Sequence, residues 1–170
     1  MTEDQARFNH LVSAYSGWLF RYAYWLAGDR QIAEDLVQET FMRAWRFFDS
    51  LESDAAAKSW LTTICRRENA RRFERKQLDY SDVEMETIPT EREEFDARPE
   101  VLALRNALRA LPLKYREPLI LQVIEGYSLE EIAAMVDLPR NTVATRLFRA
   151  RQKLKTMLEG DEPGVSNELP

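Results

Sequence analysis

Residues able to do chemistry concentrate towards the end of this chain, where cations cluster although the whole sequence is acidic. The formal net charge at pH 7 is −5, yet no acidic residue lies between Asp137 and Glu159. The basic residues of that stretch are Arg140, Arg146, Arg149, Arg151, Lys153 and Lys155. Such a local reversal of charge favours binding to phosphates. A solvated coat over an amphipathic helix is the alternative, which the lack of compensating acids disfavours.

Two helices joined by a tight turn are predicted to position these cations. Ser128 and Glu131 have capping-box spacing, in which a hydroxyl and a carboxylate each bind a free backbone N–H at a helix start. Pro139 cannot continue that helix and pushes Leu138 towards an extended conformation, so the chain turns there. Two helices joined in this way form a helix-turn-helix unit, which places its second helix in the major groove of DNA.

A second cationic patch lies at the C-terminal end of a long helix, which is predicted to run from Ser53 or Asp54 to about Lys76. Basic residues spaced by four positions share one face of a helix. They are Arg67, Arg71 and Arg75, with Arg72 and Lys76 just beside them. Glu68 and Glu74 offset only part of this charge. The sequence therefore predicts two separate phosphate-binding surfaces.

Composition and charge distribution favour an all-α protein, with two small helical domains joined by a flexible acidic linker. Only five glycines occur among 170 residues, and good helix formers dominate long stretches. We predict a first domain at 1–78, a linker at 79–98, a second domain at 99–158 and an acidic tail at 159–170. Residues 79–99 contain eight acidic and two basic residues and show no helical periodicity, which indicates a disordered tether.

Glycine, proline and capping residues locate other helix ends. Gly28 is predicted to end one helix and Asp29 to cap the next, at about 30–47, with Phe47 on its buried stripe. Pro99 suits the first position of a helix in the second domain.

The sequence gives little support to an enzyme, so we expect no catalytic residues, cofactor or metal. His10 is the sole histidine and has no nucleophile or ligand set spaced around it. The single cysteine, Cys65, excludes an internal disulfide and suits a reducing cytosol. The polar, acidic N-terminus is no secretory signal. The most apolar stretch, 18–27, is interrupted by Arg21 and is too short to span a bilayer, so no membrane insertion is expected.

Three segments together resemble one bacterial family. They are AEDLVQETFMRAW (33–45), SWLTTICRRENARRFERK (59–76) and LPLKYREPLILQVIEGYSLEEIAAMVDLPRNTVATRLFRARQKL (111–154). In this order and spacing they resemble the extracytoplasmic-function (ECF) class of sigma-70-family factors. The resemblance implies a cytoplasmic, two-domain promoter-specificity subunit of RNA polymerase, with promoter DNA, the polymerase core and an anti-sigma factor as partners.

The resemblance assigns polymerase binding to one segment, which docks on a basic coiled coil of the polymerase clamp. Its matching residues are Asp35, Gln38, Glu39 and Phe41. Asp35 and Glu39 lie four residues apart and share a helix face, which suits charge-assisted docking. Without the family context, the same residues describe a solvated helix face on which Glu39 pairs with Arg43.

Segment 48–76 matches the region that opens and holds the −10 element. Phe48 and Trp60 are the candidates to stack on an unpaired base, and both positions suit core packing equally well. The cations expected to contact −10 DNA are Arg67, Arg71, Arg72, Arg75 and Lys76. Arg67 and Arg71 stand where the family commonly has Asn and Asp, so the added charge should favour contacts with the DNA backbone.

The resemblance assigns reading of the −35 element to the recognition helix of the second domain. The expected reading residues are Thr145, Arg146, Phe148 and Arg149, and the expected phosphate contacts are Arg140, Asn141 and Thr142. Arg149 suits bidentate pairing with guanine, and Phe148 suits a thymine methyl. Asp137 stands at a turn position where the family usually has Gly and would need a left-handed conformation. Ala144 replaces a basic residue common in the family, which removes one expected contact.

Two other functions compete with that of a promoter-specificity factor. A sigma-like decoy would only capture an inhibitory partner, and it would need neither an intact recognition helix nor the ridge at Arg67–Arg75. A stand-alone helix-turn-helix regulator would leave the polymerase-binding segment unexplained.

Overall fold

The computed structural model describes residues 1–79 and 98–160, and every regular element within those ranges is helical. The chain divides into two compact units, Met1–Glu93 and Glu94–Pro170. The predicted linker at 79–98 and tail at 159–170 lie almost entirely outside the described residues. The predicted all-α class is confirmed.

The described part of each unit is a small helical bundle. The first unit contains α1 (Glu3–Ala27), α2 (Arg30–Arg46) and α3 (Ala57–Asp79), with 3-10 turns at Phe48–Ser50 and Asp54–Ala56 between α2 and α3. The second unit contains α4 (Pro99–Ala110), α5 (Leu113–Val123), α6 (Leu129–Val136) and α7 (Arg140–Glu159). In the first unit the three helices pack against one another, and in the second α7 packs on α4, α5 and α6. Over the two described ranges, no helix combines the length and apolar character that crossing a membrane requires.

Local sequence explains where α1 and α2 meet. Thr2 and Gln5 form a capping box: the Thr2 hydroxyl accepts from the Gln5 N–H at 3.2 Å, and the Gln5 side chain accepts from the Thr2 N–H at 2.9 Å. Gly28 ends α1 in the left-handed conformation (φ 72°), which glycine adopts without strain. Asp29 then caps α2 by accepting a hydrogen bond from the Ile32 N–H at 2.9 Å. The predicted boundary between these helices is confirmed.

The core of the first unit forms where its three helices meet. Leu11 of α1, Ala44 of α2 and Leu61 of α3 pack with Phe48 and Leu51 of the connecting segment. Burying a leucine or phenylalanine side chain stabilises a fold by about 1.5–3 kcal/mol. This packing holds α2 against α3 and so brings the charged residues of the two helices together.

One predicted core position, Phe47, is wrong. Its side chain is 54% exposed. Helix α2 ends at Arg46, and Phe47 adopts the non-helical conformation of a cap (φ −110°, ψ 22°). The helical periodicity behind the prediction therefore no longer applies at this residue. The next residue, Phe48, turns into the core in its place.

Helix α5 is the most buried helix of the second unit. Every residue from Tyr115 to Leu121 is buried, including the charged Arg116 and Glu117. Arg116 donates a hydrogen bond to the Leu111 carbonyl oxygen at 3.2 Å, and burial lowers the pKa of its guanidinium. Pro99 occupies the first turn of α4, as predicted. Helix α5 packs against α6 and α7.

The predicted helix-turn-helix consists of α6 and α7. Ser128 and Glu131 form the expected capping box, with distances of 3.0 and 3.1 Å between the paired atoms. Asp137 ends α6 in the left-handed conformation (φ 54°, ψ 50°) that its position requires. Helix α7 then buries Val143, Leu147 and Ala150 against the unit. The opposite face of α7 is left to solvent.

Candidate nucleic-acid interface

The outward face of α7 carries most of the residues predicted to contact the −35 element. Because Val143, Leu147 and Ala150 point inwards, the positions between them point outwards. Phe148 is 61% exposed, an unusual position for a large apolar side chain. Arg140, Asn141, Thr145 and Arg149 are exposed as well, and Thr142 and Arg146 are half-buried.

These residues border one cationic cleft of about 380 Å³. Its lining consists of Lys114, Tyr115, Asn141, Thr142, Thr145, Arg146 and Arg149. The structure therefore brings together five of the seven residues predicted for −35 binding, while Arg140 and Phe148 lie outside the cleft. Lys114 and Tyr115 were missed by sequence reasoning. They belong to α5, and no sequence pattern relates them to α7.

The Tyr115 side chain is surrounded by positive charge. The Nζ atoms of Lys114 and Lys153 lie 5.0 and 5.6 Å from the centroid of its ring. The pKa of the Tyr115 hydroxyl is lowered, mainly by its interaction with the Arg149 side chain. The charges of Lys114 and Arg149 lower this pKa further, and burial opposes them. The hydroxyl oxygen is thus an acceptor placed among cations.

Arg140 is partly occupied by a contact with α6. Its Nε donates to Glu130 Oε1 at 2.8 Å, with both side chains well exposed. Hydrogen bonding from Arg140 lowers the pKa of the Glu130 carboxyl group. The pair joins the two helices of the helix-turn-helix at the edge of the reading face.

In the first unit, the predicted polymerase-binding segment lies on α2. Asp35, Gln38 and Glu39 are exposed. Phe41 is half-buried and packs on the core, with its ring centroid 6.4 Å from that of Phe8 in an edge-to-face arrangement. Phe41 is thus held by the fold, while the three polar residues are accessible to a partner.

A second cleft, of about 200 Å³, separates these acids from the cations of α3. Its lining consists of Asp35, Leu36, Glu39, Glu68, Arg71, Arg72 and Arg75. Arg67, Arg71, Arg75 and Lys76 are exposed and Arg72 is half-buried, with Arg67 and Lys76 outside the cleft. The structure therefore places two predicted functions, polymerase docking and DNA binding, on opposite walls of one cleft.

Glu68 lies at the base of this cleft and joins α2 to α3. Its side chain is only 8% exposed and pairs with both Arg43 and Arg71, the latter at 3.0 Å. Arg43 had been a candidate partner for Glu39 on its own helix. The structure instead pairs Arg43 with Glu68 across the helix interface. Sequence reasoning treated Glu68 only as a partial charge offset and missed this role.

The two aromatic candidates for base stacking differ in their surroundings. Phe48 is only 9% exposed, and its ring contacts Phe8, Trp45 and the Arg7 guanidinium. The structure therefore argues against Phe48 as a stacking platform, because a base could reach the ring only if Phe48 left the core. Trp60 is half-buried, and its Nε1 donates to Ser50 Oγ at 3.2 Å.

Metal binding and thiol chemistry have little support in the residues that the structure describes. Within residues 1–79 and 98–160, no group of three or more His, Cys, Asp and Glu side chains is arranged to hold a metal ion. Cys65 is fully buried in α3, which removes its thiol from contact with solvent.

Comparison with known proteins agrees with the fold. Residues 11–79 match the family model of sigma-70 region 2, and residues 102–154 match that of sigma-70 region 4. The chain is 31% identical over 170 residues to the ECF RNA polymerase sigma factor SigW of Bacillus subtilis, covering 91% of this chain and 90% of that protein. It is 34% identical over 168 residues to SigE of Mycolicibacterium smegmatis, covering 92% of this chain but 65% of that longer protein.

Solved structures agree with the sequence relatives. The chain is similar to the sigma factor RpoE of Bartonella quintana, solved in complex with the anti-sigma factor NepR, with a TM-score of 0.74 and 31% identity over 91% of this chain and 98% of that one. It is also similar to CnrH, solved with the cytosolic domain of CnrY, with a TM-score of 0.65 and 28% identity over 92% and 90%.

This chain belongs to the ECF class of sigma-70-family RNA polymerase sigma factors, the subunits that give the polymerase its promoter specificity. The resemblance inferred from the three sequence segments is thereby confirmed, and so is the predicted pairing of a region 2 domain with a region 4 domain.

Proposed function

We propose that this sigma factor binds the polymerase core through α2, holds −10 DNA on α3 and reads the −35 element with α7. The observation that carries the proposal is the outward face of α7. Five of the seven predicted −35 residues line one cationic cleft, and the large apolar side chain of Phe148 is exposed on the same helix. Because bacterial polymerase and DNA share the cytoplasm, we propose that the factor acts there.

Docking on the core rests on the acids of α2. Asp35 and Glu39 are exposed one helical turn apart and suit a basic coiled coil such as that of the polymerase clamp. Gln38 adds a hydrogen-bonding side chain to the same region, and Phe41, anchored in the core, keeps this part of α2 in place. Once the core is bound, the second unit is tethered near DNA, so its contact becomes effectively intramolecular.

Contact with −10 DNA rests mainly on the cations of α3. Arg67, Arg71 and Arg75 are exposed at helical spacing and suit a row of phosphates. Trp60 remains the aromatic candidate for stacking, because it is half-buried while Phe48 is buried. Stacking a base on an aromatic side chain contributes about 1–3 kcal/mol to binding. Opening one base-pair step loses about 1.4 kcal/mol of stacking energy, so one stacked base can offset it.

We also propose an anti-sigma factor as a regulatory partner. RpoE of Bartonella quintana was solved with the anti-sigma factor NepR, and it matches this chain over nearly its whole length. Such a partner would cover the acids of α2, the reading face of α7, or both. Added to a transcription reaction, it should abolish the activity that this chain confers.

Run-off transcription with purified core polymerase tests the proposed function. Core plus this factor should initiate at specific sites in a genomic fragment library, and the transcripts should share −35 and −10 motifs. Core alone is the control. Failure to select start sites would favour the sigma-like decoy, and site-specific DNA binding without any transcription would favour a stand-alone regulator.

Charge reversal on α2 tests the docking assignment. Asp35→Arg combined with Glu39→Arg should abolish binding to the core in a pull-down, because a basic coiled coil would then face cations. A matched control reverses two other exposed acids of the same unit, Asp4→Arg with Asp49→Arg, and changes the net charge equally. Equal core binding by both double variants would refute the assignment.

Substitution on α7 tests the reading assignment. Arg149→Ala should relax the preference at one −35 position by about 1–3 kcal/mol. Arg151→Ala removes a cation of the same helix that donates to Gln122, and it should change promoter preference at no position. An unchanged −35 motif for Arg149→Ala would remove this residue from the reading set.

A further inference from the structure

Arg71 is the middle cation of the row on α3 that is proposed to face −10 DNA, with Arg67 one turn before it and Arg75 one turn after it. Its side chain is 46% exposed, so a phosphate can reach it. A long arginine loses considerable rotamer freedom when it is fixed at an interface, and that loss weakens binding unless the protein already holds the side chain. A guanidinium carries five N–H donors in a planar fork, so one can bind the protein while others remain available to DNA.

Glu68 supplies such a holding contact one turn earlier on the same helix. The Nη1 of Arg71 donates a hydrogen bond to the Oε1 of Glu68 at 3.0 Å. The Glu68 side chain is only 8% exposed, and it also pairs with Arg43 of α2, which is 28% exposed. Burial and the pair with a second helix restrict the carboxylate, so its oxygen is a rigid anchor for the more exposed guanidinium of Arg71.

The balance of charge allows a carboxylate to take this role beside DNA. An acid near a DNA-binding surface ordinarily weakens binding, because it repels phosphates. Glu68 is paired with two arginines, however, and the three side chains together keep a formal charge of +1. Linking α2 to α3 requires only the pair with Arg43. The additional hydrogen bond connects Glu68 to a member of the proposed DNA-binding row, on the wall of the 200 Å³ cleft that Arg72 and Arg75 also line.

We infer that Glu68 is a positioning residue, whose buried carboxylate holds the Arg71 guanidinium in the orientation that meets a phosphate of −10 DNA. The inference rests on the proposed role of Arg71 and adds to it a determinant of DNA affinity that is itself negatively charged. Glu68 does not touch DNA. Its contribution is to limit the orientations of Arg71 before DNA arrives, while Arg43 offsets its charge.

The test measures how tightly holoenzyme, assembled from core and full-length factor, binds a promoter fragment recovered from the run-off library. Glu68→Met removes both the charge and the acceptor. Electrostatics alone would then tighten DNA binding, because a negative charge is lost, whereas loss of the held orientation should weaken it roughly 3- to 10-fold. The control is Glu74→Met, which makes the same change at an exposed acid of α3 outside the cleft lining and should leave promoter affinity unchanged or raise it.

A double-mutant cycle separates positioning from damage to the fold. Arg71→Gln should itself weaken promoter binding, and in that background Glu68→Met should cause no further loss, whereas a loss that came from a damaged fold would persist. All variants are assayed at a temperature at which thermal unfolding shows them folded. Unchanged or tighter binding by Glu68→Met, or an equal loss in both backgrounds, would overturn the inference alone. If Arg71→Gln binds the promoter as tightly as wild type, the proposed role of Arg71 falls together with the inference.

Discussion

Replacing Glu68 by glutamine should destabilise the first unit more than any exposed charge change of the same size. Glu68 is 8% exposed and pairs with Arg43 of α2 and Arg71 of α3, whose side chains are 28% and 46% exposed. Glutamine preserves the shape of the side chain but removes its charge. The substitution would therefore leave two arginines facing a neutral group between the two helices.

The expected cost follows from these exposures. Breaking a fully buried ion pair costs about 3–5 kcal/mol because one charge remains buried without a partner. Both arginines reach water here and recover part of their solvation, and glutamine still accepts a hydrogen bond. We therefore expect Glu68→Gln to lower the free energy of unfolding by about 1–2 kcal/mol.

Tryptophan fluorescence during urea unfolding measures this effect in the full chain. All four tryptophans, at positions 18, 25, 45 and 60, lie in the first unit, so the signal reports that unit alone. The midpoint should shift while the slope with urea stays constant. Glu34→Gln is the matched control, since its pair with Arg30 at 3.2 Å is exposed on both sides and should contribute about 0–0.5 kcal/mol. Equal midpoints for the two variants would refute the assignment of Glu68 as the link between α2 and α3.

Three further predictions concern the second unit. Asp137→Gly should stabilise it by about 0.5–1 kcal/mol, because relief of the left-handed strain (φ 54°) outweighs the conformational entropy that a glycine adds to the unfolded chain. Native-state hydrogen exchange should then show that the backbone amides of α7 open more slowly. Leu147→Ala should cost about 2–5 kcal/mol by the same measurement, whereas Phe148→Ala, at 61% exposure, should leave stability unchanged and reduce only promoter recognition. Arg140→Gln should raise the pKa of Glu130 towards its ordinary value, which an NMR titration measures. Because the pKa of Glu130 is lower in the folded state, its pair with Arg140 stabilises the fold at pH values above the ordinary pKa, and this stabilisation is lost as the pH falls through the lowered pKa. The stability of the variant should therefore depend less on acid pH than that of the wild type.

Helix ends were predictable because they depend on residues close together in the sequence. The capping box of Ser128 and Glu131 and the boundary at Gly28 and Asp29 each involve backbone groups within four residues. The left-handed conformation of Asp137 could also be anticipated, since the turn between two such helices requires it. Local geometry restricts these positions whatever surrounds them.

The exact boundary between core and surface was harder to predict. Phe47 and Phe48 are neighbours of identical chemistry. Sequence alone placed Phe47 in the core and left Phe48 open between core packing and DNA contact, whereas the structure exposes 54% of Phe47 and only 9% of Phe48. One residue past the end of α2, the direction of a side chain depends on how the connecting segment packs and no longer on helical periodicity.

The sequence by itself determined the helical class, the helix ends that capping residues mark, the separation of charge along the chain and the family to which the three motifs belong. These properties follow from composition, from short-range backbone chemistry and from the order of the motifs. Only the tertiary structure decided which side chains meet: Arg43 pairs with Glu68 across two helices, and Tyr115 of α5 lines the same cleft as Arg149 of α7. Spacing within one helix restricts neighbours on that helix, whereas contacts between helices depend on how buried side chains such as Leu61 pack the helices together.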